Sequence, residues 1–143
     1  VQNCILIRDP KYVIASYGEK LPIQDERHLG YKQQAEIIEF LEKENGITPP
    51  IIDADDILKN PETMMKKLCK TLNIIFYPSM LQWPSGTRSS DGVWGVYWYE
   101  GVYDSTGFKP YTKKEVNIDQ KLANVYQKCK KHYDTFYNKR IKL

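Results

Sequence analysis

Arg8 and Ser16 are the residues of this chain whose types and spacing could do chemistry together. They sit in "ILIRDPKYVIASY", residues 5–17, where an apolar run stops at an arginine, Asp-Pro follows at once, and a helix-like stretch carries the serine. A guanidinium offers a planar fork of donors and a hydroxyl adds another, which suits an anion such as a phosphate. Ser16 lies seven residues after Asp9, so on a helix the two share one face about 10 Å apart, within reach of an arginine bent back along it. The plainer alternative has Arg8 pairing with Asp9, Asp53 or Asp55 at the strand ends, and Ser16 as an ordinary helix residue. Spacing leaves both open.

Little else in the chain offers chemistry. His28 sits in a polar stretch and His132 among lysines, neither with a visible catalytic partner. Cys4, Cys69 and Cys129 are far apart and odd in number, which argues against a disulfide framework and for reduced thiols in an intracellular, cytoplasmic protein. No Cys/His cluster or HExxH string marks a metal site. The net charge of +3 suits a small anion and is too weak to argue for nucleic acid. The apolar runs are too short for a membrane span.

The elements that must position Arg8 and Ser16 follow from pattern. The 143 residues suit one domain, 1–143, with 41% apolar residues to build a core. "NCILIR" reads as a strand buried on both faces and central in a parallel sheet. Asp9 caps a helix that opens on Pro10 and runs to about Tyr17. That helix should turn free N–H groups and its positive dipole end toward the space beyond the strand. A long helix is expected over 26–45, stopped by Gly46. "PPIIDADD" reads as a second buried strand, and Asn60-Pro61-Glu62 starts a helix with Met65, Leu68, Cys69 and Leu72 inward. "DGVWGVYWYEGVYDSTGF" reads as one aromatic helix closed by "STG". Its Trp94, Tyr97, Trp98, Tyr99 and Tyr103, with Trp83 nearby, suit either a pocket wall or packing against a partner. The last helix carries Ile118, Leu122, Val125, Cys129, Tyr133 and Phe136 at helical spacing. Strands alternating with helices imply an α/β fold, helix-rich in its C-terminal half.

At Arg8 and Ser16 the pattern resembles a family. "LIRDPKYVIASY" looks like the 3′-phosphate-binding segment of the sulfotransferases, which use 3′-phosphoadenosine 5′-phosphosulfate. In that family a strand ends in Arg and a Ser follows eight positions later on the next helix. The order of "PPIIDADDIL", "NPETMMKKLCKTLNI" and "MLQWPSGTRSSDGVWGVYWY" is also similar, so the likeness covers most of the chain. It is nearest to divergent sulfotransferase-like members carrying "DGVW…WY…STGF". The resemblance implies part of a P-loop-type parallel sheet flanked by helices, with Arg8 and Ser16 holding the nucleotide.

The chain also departs from the family pattern. The Gly-rich lysine loop that grips the 5′-phosphosulfate has no counterpart, nor has the general-base histidine upstream of the Arg/Ser segment. For the late Arg-Lys-Gly loop there are only "GTR", ending in Arg88, and "STGFK", with Lys109. The resemblance therefore implies the downstream portion of a sulfotransferase-like domain, a fragment lacking its phosphate-loop part and inactive alone. Cofactor-binding candidates are Arg8, Ser16 and Arg88, and no catalytic residue is named. The partners are a nucleotide co-substrate and an acceptor of unknown identity. Two other readings stay open: a non-catalytic scaffold that uses segment 94–103 to bind a protein, and a nucleotide-kinase relative.

Overall fold

An apolar run closed by Asp-Pro makes a strand and a helix in quick succession. In the computed structural model, which describes residues 2–143, strand β1 spans Ile5–Ile7 and helix α1 spans Pro10–Gly18. Asp9 caps α1 by accepting the Lys11 N–H at 3.0 Å, and Pro10 occupies the first turn, where a missing N–H costs nothing.

The stretch expected as one helix over 26–45 is two pieces. A 3-10 turn spans Glu26–Leu29, and α2 spans Tyr31–Asn45. The break is Gly30, whose φ of 77° is left-handed and ends the turn. Gly46, at φ 70°, closes α2. A Cβ on Gly30 would meet nothing within 4 Å. Gly30→Ala is therefore expected to cost only backbone strain, about 1–2 kcal/mol, read as a lowered midpoint in urea unfolding.

Strand β2, Ile51–Asp53, runs parallel to β1 with Ile5 beside Ile51 and Ile7 beside Asp53. Among the described residues the sheet has these two strands alone. Two expectations change with that. Among the described residues the first strand pairs with one neighbour, so the expected central place is not seen there. Nor is the strand buried on both faces: Ile7 is buried, but Leu6 is 55% exposed. β2 matches expectation, with all three residues buried.

The edge of β1 away from β2 is not bare. The Ile5 N–H donates to the Pro50 carbonyl, so strand alternation sends the Leu6 and Arg8 carbonyls to the opposite side. There Gln34 Nε2 donates to the Leu6 carbonyl at 3.2 Å, and the Tyr31 hydroxyl donates to the Arg8 carbonyl at 2.7 Å. The outer side of β2 takes a bond from the C-terminal tail, where the Ile141 N–H donates to the Ile51 carbonyl at 2.8 Å.

β2 leads into a helix that the pattern did not foretell, α3 at Ala54–Lys59, followed by α4 at Pro61–Thr71. Asp53 starts α3 by accepting the N–H groups of Asp55 and Asp56. Asn60 caps α4 through the Thr63 N–H, as its sequence signal implies. On α4 the fully buried pair is Met64 and Cys69, so the inward stripe is turned slightly from the expected one through Met65. The aromatic segment is two helices of one turn each, α5 at Gly95–Trp98 and α6 at Glu100–Tyr103, not a single helix. The final helix α7 spans Ala123–Lys139 and buries Val125, Cys129, Tyr133 and Phe136 as expected. These four join Ile7, Tyr31, Ile38 and Ile51 in one core over one face of the sheet. Among the described residues no helix is long and apolar enough to cross a membrane. Burial pushes the Cys129 thiol up to about 11, which leaves it unreactive inside that core.

Candidate functional site

Both strands end on the same side of the molecule, and side chains from four segments meet there. Arg8 leaves the end of β1, Tyr12 comes from α1, Asp55 and Leu58 from α3, and Lys109, Pro110, Tyr111, Thr112 and Lys114 from the connection between α6 and α7. Together they line a crevice of about 470 Å³. The carboxyl ends of parallel strands are where α/β sheets take ligands.

Arg8 is exposed, and its guanidinium carbon lies 5.5 Å from the centre of the Tyr12 ring. The ion pairs among the described residues include neither Arg8 nor Lys109 nor Lys114. Two of the three carboxylates near Arg8 are otherwise engaged. Asp9 caps α1 and lies 3.6 Å from the Lys11 amine. Asp53 is buried, accepting the Tyr133 hydroxyl at 2.9 Å and the α3 amides. Asp55 shares the crevice as its carboxylate. The lining thus carries three cations against one anion, with the cations unpaired, an arrangement able to accept a multiply charged anion.

The expected contribution of the α1 N-terminus is reduced. The Asp9 carboxylate already takes the Lys11 N–H, so part of the helix-end charge is compensated from within the chain. Burial works against the Lys11 ammonium, yet Asp9 and Tyr12 outweigh it and hold its pKa above the ordinary lysine value. A neighbouring crevice of about 250 Å³ contains Lys11, Lys59, Lys113 and Lys130 but also Asp9, Asp53, Asp55 and Asp134. Three of those lysines sit in ion pairs, with Asp9, Asp56 and Asp134. Its charge is balanced, and the contrast singles out the Arg8 crevice. A larger groove of about 890 Å³, between the start of α4 and the edge-to-face pair Trp83 and Phe108, has no cation among its lining residues.

The other sequence candidates fall elsewhere. Ser16 is exposed on α1, one turn beyond Tyr12, and is not among the residues lining the Arg8 crevice. Arg88 lies before α5, where its side chain donates to the Pro84 carbonyl at 3.1 Å and its backbone N–H to Asp91. Lys109 does reach the crevice, whereas Lys114 and Tyr12 escaped the sequence reading. The signal for Lys114 was present as the basic run "KPYTKK", and that for Tyr12 as an aromatic four residues after Arg8, one turn away. His28 is exposed, its Nδ1 accepting the Gln24 N–H, and His132 stacks on Phe136. Neither faces the crevice. Trp94 and Tyr97 are exposed, and Trp98 lies 6.2 Å from Tyr17 at the end of α1.

Known proteins align with this stretch. The chain is similar to branched-chain-amino-acid aminotransferase-like protein 1 of Arabidopsis thaliana, 40% identical over 107 residues, which are 75% of this chain and 19% of that protein. It is also similar to branched-chain-amino-acid aminotransferase-like protein 2 of the same plant, 34% identical over 128 residues, 90% of this chain and 22% of that protein. The chain spans about a fifth of the length of these curated relatives. No solved structure matches it. A family model described as a sulfotransferase domain matches residues 2–131, and the chain belongs to that family.

Proposed function

We propose that the Arg8 crevice is the 3′-phosphate-binding part of a sulfotransferase-like domain with a P-loop-type sheet, which takes a 3′-phosphoadenosine nucleotide. The observation that carries this reading is the Arg8 guanidinium at the end of β1, outside the ion pairs of the described residues and lining one crevice with Lys109 and Lys114. Arg8 would grip the phosphate through its planar fork, and the two lysines would add charge from the opposite wall. Ser16 would supply a hydroxyl from further along α1, with Arg88 as a remoter contributor. When bound, the nucleotide brings a transferable sulfuryl group to an acceptor hydroxyl or amine. The residues of this chain bind and orient it, and none of them is assigned as the base. The two relatives carry aminotransferase-like names, but the matched stretch is a fifth of each. The reading therefore rests on the domain rather than on those names.

A second reading has its own support. Val93, Trp94, Val96 and Tyr97 are exposed within five residues, with Val93 81% exposed, and contiguous apolar surface of this kind marks interaction sites. In this reading the domain serves a protein partner through 94–103.

The test of the first reading is calorimetry at low salt with adenosine 3′,5′-bisphosphate and adenosine 5′-phosphate. The bisphosphate should bind up to about tenfold more tightly. Arg8→Ala should abolish the preference, and Arg8→Lys should restore it only in part, because an ammonium lacks the fork. Equal binding of the two nucleotides by the unaltered chain would overturn the reading.

A further inference from the structure

We infer that Tyr12 is a positioning residue of the anion site, setting the direction of Arg8 and tethering the 109–114 wall. The inference rests on the phosphate reading of the Arg8 crevice and assigns to it a residue outside the Arg/Ser pattern.

Tyr12 is buried, so its ring is a fixed plate on α1. Two cations lie against it, the Arg8 guanidinium at 5.5 Å and the Lys11 ammonium at 4.7 Å. A cation–π contact uses none of the guanidinium N–H donors, whereas a carboxylate partner would consume them. A lone exposed arginine has many rotamers, and each must be given up when an anion binds. The ring beneath Arg8 removes part of that loss in advance, which is how a rigid neighbour raises affinity without touching the ligand.

The same side chain reaches the opposite wall. The Tyr12 hydroxyl donates to the Lys114 carbonyl at 3.3 Å, a bond spanning 102 residues of sequence. Residues 104–119 have no helix and only an isolated bridge at Gly107, so few other bonds fix the segment that carries Lys109 and Lys114. The ring and the hydroxyl of one residue therefore hold both walls.

The two halves separate by substitution. Tyr12→Phe keeps the ring and loses the tether; Tyr12→Met keeps most of the volume and loses both. Calorimetry with the two adenosine nucleotides is run on each variant, with Arg8→Ala alone and combined with Tyr12→Met, and with far-ultraviolet circular dichroism to check folding. In Tyr12→Met the preference for the bisphosphate should fall most of the way to the Arg8→Ala level, and the double variant should fall no further than Arg8→Ala alone. Tyr12→Phe should keep the preference to within about threefold, a rescue by the ring that simple loss of packing would not produce. Trypsin should cut after Lys113 and Lys114 several-fold faster in Tyr12→Phe than in the unaltered chain. If Tyr12→Met keeps the full preference, or its effect adds to that of Arg8→Ala, the ring role is overturned while the phosphate reading stands. If Tyr12→Met does not fold, Tyr12→Leu takes its place in the same calorimetry and decides the ring role, and unchanged cleavage of Tyr12→Phe overturns the tether. No preference in the unaltered chain overturns the phosphate reading and this inference together.

Discussion

Arg140→Ala is expected to lower the stability of the fold by about 3–5 kcal/mol, because it strands a buried charge. Asp56, on α3, is 3% exposed. Its Oδ2 accepts from Arg140 Nε at 2.8 Å, and its Oδ1 from Lys59 Nζ at 3.3 Å. Removing the guanidinium leaves the carboxylate to a lysine that is itself partly in water. Burial works against the Lys59 charge and Asp56 overcomes it, so its pKa stays raised. Arg140 also lies 3.4 Å over the Tyr137 ring and donates to the Tyr137 carbonyl, which holds the tail whose Ile141 N–H bonds β2. Arg140 thus links α3, the end of α7 and the start of the tail. Urea unfolding followed by circular dichroism should show a midpoint lower by a molar or more. Replacing both partners, Asp56→Leu with Arg140→Met, should cost much less than Arg140→Ala, because no charge is left buried. A single variant as mild as the double would contradict this account.

Asp53→Ala is expected to cost about 2–4 kcal/mol. It removes the cap of α3, worth about 1 kcal/mol, and leaves the Tyr133 hydroxyl buried without its acceptor, worth about 1–3 kcal/mol. Asp53 is the last residue of β2, so the loss also loosens the α3 wall of the Arg8 crevice, where Asp55 and Leu58 sit. Asp53→Asn, which keeps an acceptor for the cap, should be the milder change. The two differ in pH dependence as well. Burial raises the Asp53 pKa in the folded chain, against the opposing bonds from Tyr133, Asp56 and Asp55. A group whose folded pKa lies above its unfolded value favours the protonated fold. Its contribution is therefore fully present below the unfolded value near pH 3.9 and is lost as pH rises through the folded one. In Asp53→Asn that part of the stability profile should be absent, as thermal melts across acid pH would record.

Elements with local signals were legible in the chain. Asp9-Pro10 and Asn60-Pro61 mark helix starts through caps, Gly46 marks a stop, and the spacing from Val125 to Phe136 marks α7, since each signal depends on neighbours in sequence. Segment 95–103 was not legible, because aromatic density says nothing of the break between α5 and α6. Nor was the break at Gly30, where one glycine could sit inside a helix or end it, and its left-handed φ of 77° makes it the end. At the crevice, Arg8 was legible from the strand end and Asp-Pro. Lys114 and Tyr12 left only a basic run and an aromatic one turn from Arg8 as local signals, and the contact that joins them spans 102 residues, which local spacing does not record.

The two capped carbonyls on the free side of β1 bear on how the chain behaves in a crowd. An open strand edge recruits other strands and seeds aggregation. Here Gln34 and Tyr31 already occupy the Leu6 and Arg8 carbonyls, so a newcomer at that edge must exchange with α2 rather than simply add. Exchange carries an activation barrier that addition does not. With Leu6 exposed beside it, this edge would be a sticky seam if bare; the two side chains make joining it slow and dependent on a loosened α2.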